Sequence, residues 1–158
     1  MATGTVLGIS PGTRALGLSV IRQGELVDWR VRSFNGAWSQ QKHDRILSAI
    51  TRFQKEYSAD VVAIKQIDLL RSSPELRSLA MSIARQAKRR SCKVVIRSLD
   101  DLDYERRTAK RKSLTKEVAR KYPEMYEEYR REQANRTEYY TRMFEAVAIA
   151  DYGDDEPS

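Results

Sequence analysis

The chain has 158 residues, 41% hydrophobic and 32% charged, a net charge of +7, one His and one Cys. That length suits one core rather than two ordinary domains, and a lone His with a lone Cys excludes a zinc site and an internal disulfide. No apolar run approaches the ~20 residues that span a bilayer, and Met1-Ala2-Thr3 does not read as a signal peptide, so a cytoplasmic protein with no membrane partner and Cys92 as a buried structural thiol is expected.

Val6 to Ile9, a Pro11-Gly12 turn and Leu16 to Ile21 read as a β-hairpin, with Ser10 presented at the end of its first strand. Glu25 to Phe34 fits a third antiparallel strand if a slip or bulge reconciles Leu26 with Trp29, Val31 and Phe34. Ser39 then caps a helix whose apolar positions are Ile46, Leu47, Ile50, Phe53 and Tyr57. His43, in its polar first turns, is expected to face solvent rather than act as a general base. Asp60 to Asp68 reads as a fourth strand buried on both faces. Ser72-Ser73-Pro74-Glu75 opens a helix with a stripe of Leu76, Leu79, Ala80, Ile83, Ala84 and Ala87.

Lys93 to Ser98 is the fifth strand, and Ser98-Leu99-Asp100-Asp101 resembles a capping box opening a short helix. Ser113 is expected to cap the next helix, with Leu114, Val118 and Tyr122 on one side. Pro123 interrupts it, a polar helix over Glu124 to Gln133 follows, and a last helix runs from Glu138 to Asp151. Residues 1–151 are expected to form one domain, and 152–158 a disordered acidic tail.

The positive charge is concentrated. Between Arg85 and Lys121 stand fourteen Lys or Arg against five Asp or Glu, while the rest of the chain is slightly acidic. Such a local surplus is the electrostatic footprint of nucleic-acid binding, DNA foremost, although it also serves solubility. The candidate phosphate contacts are Lys88 and Arg89, then Arg106, Arg107, Lys110, Arg111, Lys112 and Lys116, joined by Arg14 in the Gly turn and Lys65 on the fourth strand. Tyr126 and Tyr129 at helical spacing suit half-buried packing better than base stacking.

Three stretches resemble RuvC-type Holliday-junction resolvases of the ribonuclease H-like superfamily. The words are Gly8-Ile9-Ser10-Pro11-Gly12, Ala63-Ile64-Lys65-Gln66, and Arg142-Met143-Phe144-Glu145-Ala146-Val147-Ala148-Ile149-Ala150. The resemblance implies an α/β fold with a mixed five-stranded sheet, its first three strands an antiparallel meander and helices on both faces. It also implies that Ser10, Lys65, Arg142 and Glu145 stand where the family places four metal-binding acids. Only Glu145 remains an acid. The family uses the helix after the Glu strand in its dimer interface, which implies a homodimer through residues 74–90; the stripe equally suits the core of a monomer.

Two-metal phosphodiester cleavage needs several carboxylates around two Mg²⁺, and cations at two of the four positions oppose that. The expected function is therefore a catalytically degenerate RuvC-like domain that binds nucleic acid through its basic region and takes no cofactor. The alternative is a Mg²⁺- or Mn²⁺-dependent structure-selective endonuclease with relocated acids drawn from Asp68, Asp100, Asp101, Glu145 and Asp151, of which Asp68 and Glu145 are the candidate metal ligands. An ATP-binding actin-like relative shares the Gly-turn hairpin, but the chain is too short for two such lobes. If the fold is right, Lys65 and Glu145 should form an ion pair with Ser10 hydrogen-bonded to one of them.

Overall fold

The computed structural model describes residues 4–99, 111–135 and 140–153. Its element order is β1 (Thr5–Ser10), β2 (Ala15–Arg22), β3 (Glu25–Ser33), α1 (Gln40–Tyr57), β4 (Val61–Lys65), α2 (Pro74–Arg89), β5 (Lys93–Arg97), α3 (Arg111–Lys121), a 3₁₀ turn (Pro123–Met125), α4 (Tyr126–Asn135) and α5 (Thr141–Gly153). The five strands form one sheet in the order β3-β2-β1-β4-β5. The first three are antiparallel, whereas β4 pairs parallel with both β1 and β5.

Strand alternation divides the core into two layers. Leu7 and Ile9 of β1, Leu16, Leu18 and Val20 of β2, and Val62 and Ile64 of β4 meet Ile46, Ile50 and Phe53 of α1 and Leu79 and Ile83 of α2. Val6, Ile21 and Ala63 point the other way, toward Phe144, Val147 and Ala148 of α5 and Val118 of α3. Helices thus cover both faces. The expected irregularity in β3 is a register shift opposite Val20 and Ile21, where Val20 pairs with Asp28 but Ile21 pairs with Leu26. Val27 is the extra residue, and its insertion brings Leu26 and Trp29 to the same face although they stand three apart.

The α1 N-terminus is capped as the sequence suggests, the Ser39 hydroxyl accepting from the Lys42 N–H at 3.1 Å. For α2 the cap is Ser73, which accepts from the Leu76 N–H, and Pro74 needs no donor in the first turn. Three expectations need correction. β4 ends at Lys65 rather than Asp68, because Asp68 accepts the N–H groups of Leu70 and Arg71 and turns the chain. Ser113 lies inside α3, since the good helix formers Arg111 and Lys112 already belong to it. His43 is half-buried, with Nε2 3.1 Å from the Ser82 hydroxyl on α2 and its ring edge-on to Trp38. Of the capping box at residues 98–101, Asp100 and Asp101 lie outside the described residues; of the tail expected at 152–158, residues 152 and 153 instead complete α5, and 154–158 lie outside the described residues.

What places α5 is the absence of side chains beneath it. A Cβ on Gly17 would stand 2.0 Å from the Arg142 carbonyl oxygen, and one on Gly8 would stand 2.1 Å from that of Ala146. Ser19, between them in the sheet, donates its hydroxyl to the Ala146 carbonyl at 2.9 Å. The helix backbone therefore rests on the strands, which carries Glu145 to the end of β1. No described helix is long and apolar enough to cross a membrane.

Candidate functional site

Ser10 closes β1 and Lys65 closes β4, neighbouring parallel strands whose register pairs Ile9 with Ile64 one residue earlier. Their side chains share the face that α5 covers. There the Ser10 hydroxyl donates to Glu145 Oε1 at 2.7 Å, and the Lys65 ammonium lies 3.1 Å from the same oxygen. Ser10 is fully buried, the Glu145 side chain is 2% exposed and that of Lys65 is 20% exposed. The expected ion pair is present, with the serine on the carboxylate. A buried carboxylate needs such partners, because desolvation without them costs several kcal/mol.

Arg142 sits one turn before Glu145 on α5, beside the cluster. Its Nη1 donates to the Pro11 carbonyl at 3.0 Å, and its guanidinium packs on Gly12, where a Cβ would stand 2.6 Å from Nε. The Pro11-Gly12 turn thus holds the arginine next to the end of β1.

One residue that the sequence did not single out completes the group. Arg97 ends β5 directly opposite Lys65, and its side chain therefore lies on the same face. Its Nε and Nη2 are buried and have no hydrogen-bond partner. Among the described residues, three cations and one carboxylate thus lie at the ends of β1, β4 and β5. The +7 excess hinted at such residues, but nothing local distinguishes Arg97 from the other bases between Arg85 and Lys121.

The other candidates scatter. Arg14, Lys88, Arg89 and Lys116 are exposed. Arg111 and Lys112 lie in the first turn of α3, while Arg106, Arg107, Lys110, Asp100 and Asp101 are outside the described residues. Asp68 is largely exposed and committed to its turn, and Asp151 accepts from Lys121 and from the Tyr122 hydroxyl, each at 2.6 Å. Neither joins Glu145. No group of three His, Cys, Asp or Glu among the described residues is placed to hold a metal ion. Tyr129 packs against the core as expected, whereas Tyr126 is exposed. Cys92 is half-buried rather than buried; it accepts from the Gln54 amide and donates to the Ala59 carbonyl, and burial pushes its thiol above its ordinary pKa. That is a structural thiol rather than a nucleophile.

Among solved structures, one of Thermus thermophilus RuvC superposes with a TM-score of 0.69 at 16% identity, covering 96% of each chain. T. thermophilus RuvC in complex with Holliday junction substrate gives the same TM-score and coverage at 18% identity. The Fowlpox virus resolvase in complex with substrate Holliday junction DNA follows at a TM-score of 0.61 and 12% identity, covering 96% of this chain and 99% of its own. No family model matches the chain, and neither does any curated protein. With its mixed five-stranded sheet and a helical layer on each face, the chain has a ribonuclease H-like fold, similar to those of RuvC and the poxvirus resolvase.

Proposed function

We propose that residues 1–151 form a catalytically degenerate RuvC-like domain that binds nucleic acid, branched DNA foremost, in recombination or repair, and does not cut it by a two-metal route. The observation that carries this is the double occupation of Glu145 Oε1 by the Ser10 hydroxyl and the Lys65 ammonium. A pair of divalent cations needs several oxygen anions. Ser10, Lys65, Arg142 and Glu145 supply one, already neutralised, with a second cation one helical turn away, so this donor set does not fit the metals. The fold and the Holliday junctions held by two similar structures support a branched ligand. For a homodimer through α2, the surface available is the one carrying Met81, which is 61% exposed.

The test is incubation with four-way junction and linear duplex in Mg²⁺ or Mn²⁺, beside a binding titration across salt. The expected result is no cleavage and an affinity that falls steeply with salt, preferring the junction. Metal-dependent cleavage abolished by Glu145→Ala would replace this proposal with the nuclease. No binding at low salt would remove nucleic acid as the ligand.

A further inference from the structure

We infer that Arg97, opposite Lys65 on the neighbouring strand, forms a metal-independent seat for a backbone phosphate of the bound nucleic acid. The inference rests on the proposal above that the domain binds nucleic acid, and names the group that its altered site receives.

The argument starts from a desolvated donor pair. Buried polar groups are nearly always hydrogen-bonded, and a buried donor left unmet costs roughly 1–3 kcal/mol, more when charged. Arg97 carries two such donors, Nε and Nη2. These lie along one edge of the guanidinium, the edge that engages two oxygens of an oxoanion side by side. Glu145 does not meet them: its Oε1 is occupied by Ser10 and Lys65, and neither Arg97 nitrogen bonds it.

Charge selects the class of ligand. With three cations against one carboxylate among the described residues, the end of the sheet attracts an anion and repels a divalent metal. Lys65, 3.1 Å from Glu145, adds long-range charge, and Arg142, fixed on the Pro11 carbonyl, adds more. Arg97 has a buried bidentate edge that no hydrogen bond occupies. Both nitrogens are buried, so the side chain turns outward to meet a phosphodiester oxygen pair; that movement breaks no hydrogen bond of Nε or Nη2, whereas a metal would have to displace Lys65 from Glu145.

The test uses the full chain with ¹⁵N-labelled arginine. Inorganic phosphate, titrated at constant ionic strength with EDTA present, should move the Arg97 Nε–H signal saturably; a response that requires Mg²⁺, or none, overturns the seat. Against a four-way junction, Arg97→Gln should lower affinity about tenfold, or about 1.4 kcal/mol, and flatten the slope of log affinity on log salt by about one. Arg97→Lys should recover part of the affinity, since it restores charge but not the fork. Wild-type binding that Arg97→Gln leaves unchanged overturns the seat and spares the nucleic-acid proposal. A wild type that binds neither junction nor linear DNA overturns both. Amide spectra of both variants establish that they fold, and the phosphate titration on the unmodified protein stands whatever they do.

Discussion

Toward α1 and α2, strands β1 and β2 present Leu7, Ile9, Leu16, Leu18 and Val20, all 1% exposed or less; toward α5 the same strands present Val6, Gly8, Ser10, Gly17, Ser19 and Ile21. The first face holds by area. Each of its large side chains gains about 1.5–3 kcal/mol from burial, and neighbours can adjust when one is trimmed. The second holds by close backbone approach and a few polar bonds, so it tolerates little but places charged groups accurately. The cluster at Ser10, Lys65 and Glu145 lies on the face built for placement.

Enlarging a residue on the α5 face and trimming one on the other tests this contrast most severely. Gly17→Val should cost about 4 kcal/mol or more, because its neighbour is the Arg142 carbonyl rather than a movable side chain. Urea unfolding should show that loss, and the Ser10–Glu145 contact should be lost with it. Trimming Leu18→Ala on the opposite face should cost about 3 kcal/mol while leaving the cluster assembled. If Gly17→Val proves the milder of the two, close approach is not what holds α5.

The polar part of the second face can be dissected by a double-mutant cycle. Lys65→Met and Glu145→Leu singly should each destabilise by about 2 kcal/mol, less than for a fully buried pair because water reaches part of Lys65. Lys65→Met combined with Glu145→Leu should fall within about 1 kcal/mol of the unmodified protein. Additive losses would show that the pair is not coupled. A complementary variant, Ser10→Asp with Lys65→Glu, assembles three carboxylates at the same place. Without metal it should be less stable than the original; Mn²⁺ at tenfold its Kd should then add about 1.4 kcal/mol, a gain absent from the unmodified chain. No Mn²⁺ response in the variant would mean that geometry, as well as charge, opposes metal binding at this place.

The smallest effect concerns the α1 edge of the first face, where Tyr57 and Arg30 donate to Asp28. Burial opposes the Asp28 charge, but those bonds outweigh it and hold its carboxyl below the ordinary 3.8. Because the folded pKa is depressed, the stabilisation is present above that ordinary value and is lost as pH falls through the folded one. The hydrogen bond to Asp28 raises the Tyr57 pKa above 10.0, so its contribution is present below that value and disappears as pH rises beyond it. Asp28→Asn should cost about 1 kcal/mol at neutral pH and flatten stability at both extremes. Unchanged acid and alkaline limbs would assign the pH dependence elsewhere.

Strand and helix identities, the bulge in β3 and the convergence of Ser10, Lys65 and Glu145 were legible because periodicity and three ordered motifs fix them together. Arg97 was not legible: its role depends on β5 pairing with β4 in one register, a long-range fact that no local pattern near Arg97 encodes. His43 failed for a similar reason, since the surface that covers it belongs to Trp38 and to Ser82 on α2. The end of β4 was missed because Asp68 reads equally well as strand or turn until its carboxylate is seen accepting two N–H groups.

The hydrogen bond from Ser10 to Glu145 joins residues 135 positions apart. A ribosome therefore delivers the central hairpin long before it delivers the helix that covers it. Until α5 emerges, Gly8, Gly17 and Ser19 line an open trough, and the strands beside it have one face in water. Early folding must lean on the α1–α2 layer, while the charged cluster assembles last, a high-contact-order step and hence a slow one. A message cut short before α5 would release a chain with half its sheet bare, the kind of species that aggregates or is held by chaperones. Stalled nascent chains of increasing length should consequently gain protease resistance in the α1–α2 layer well before Ser10 becomes protected.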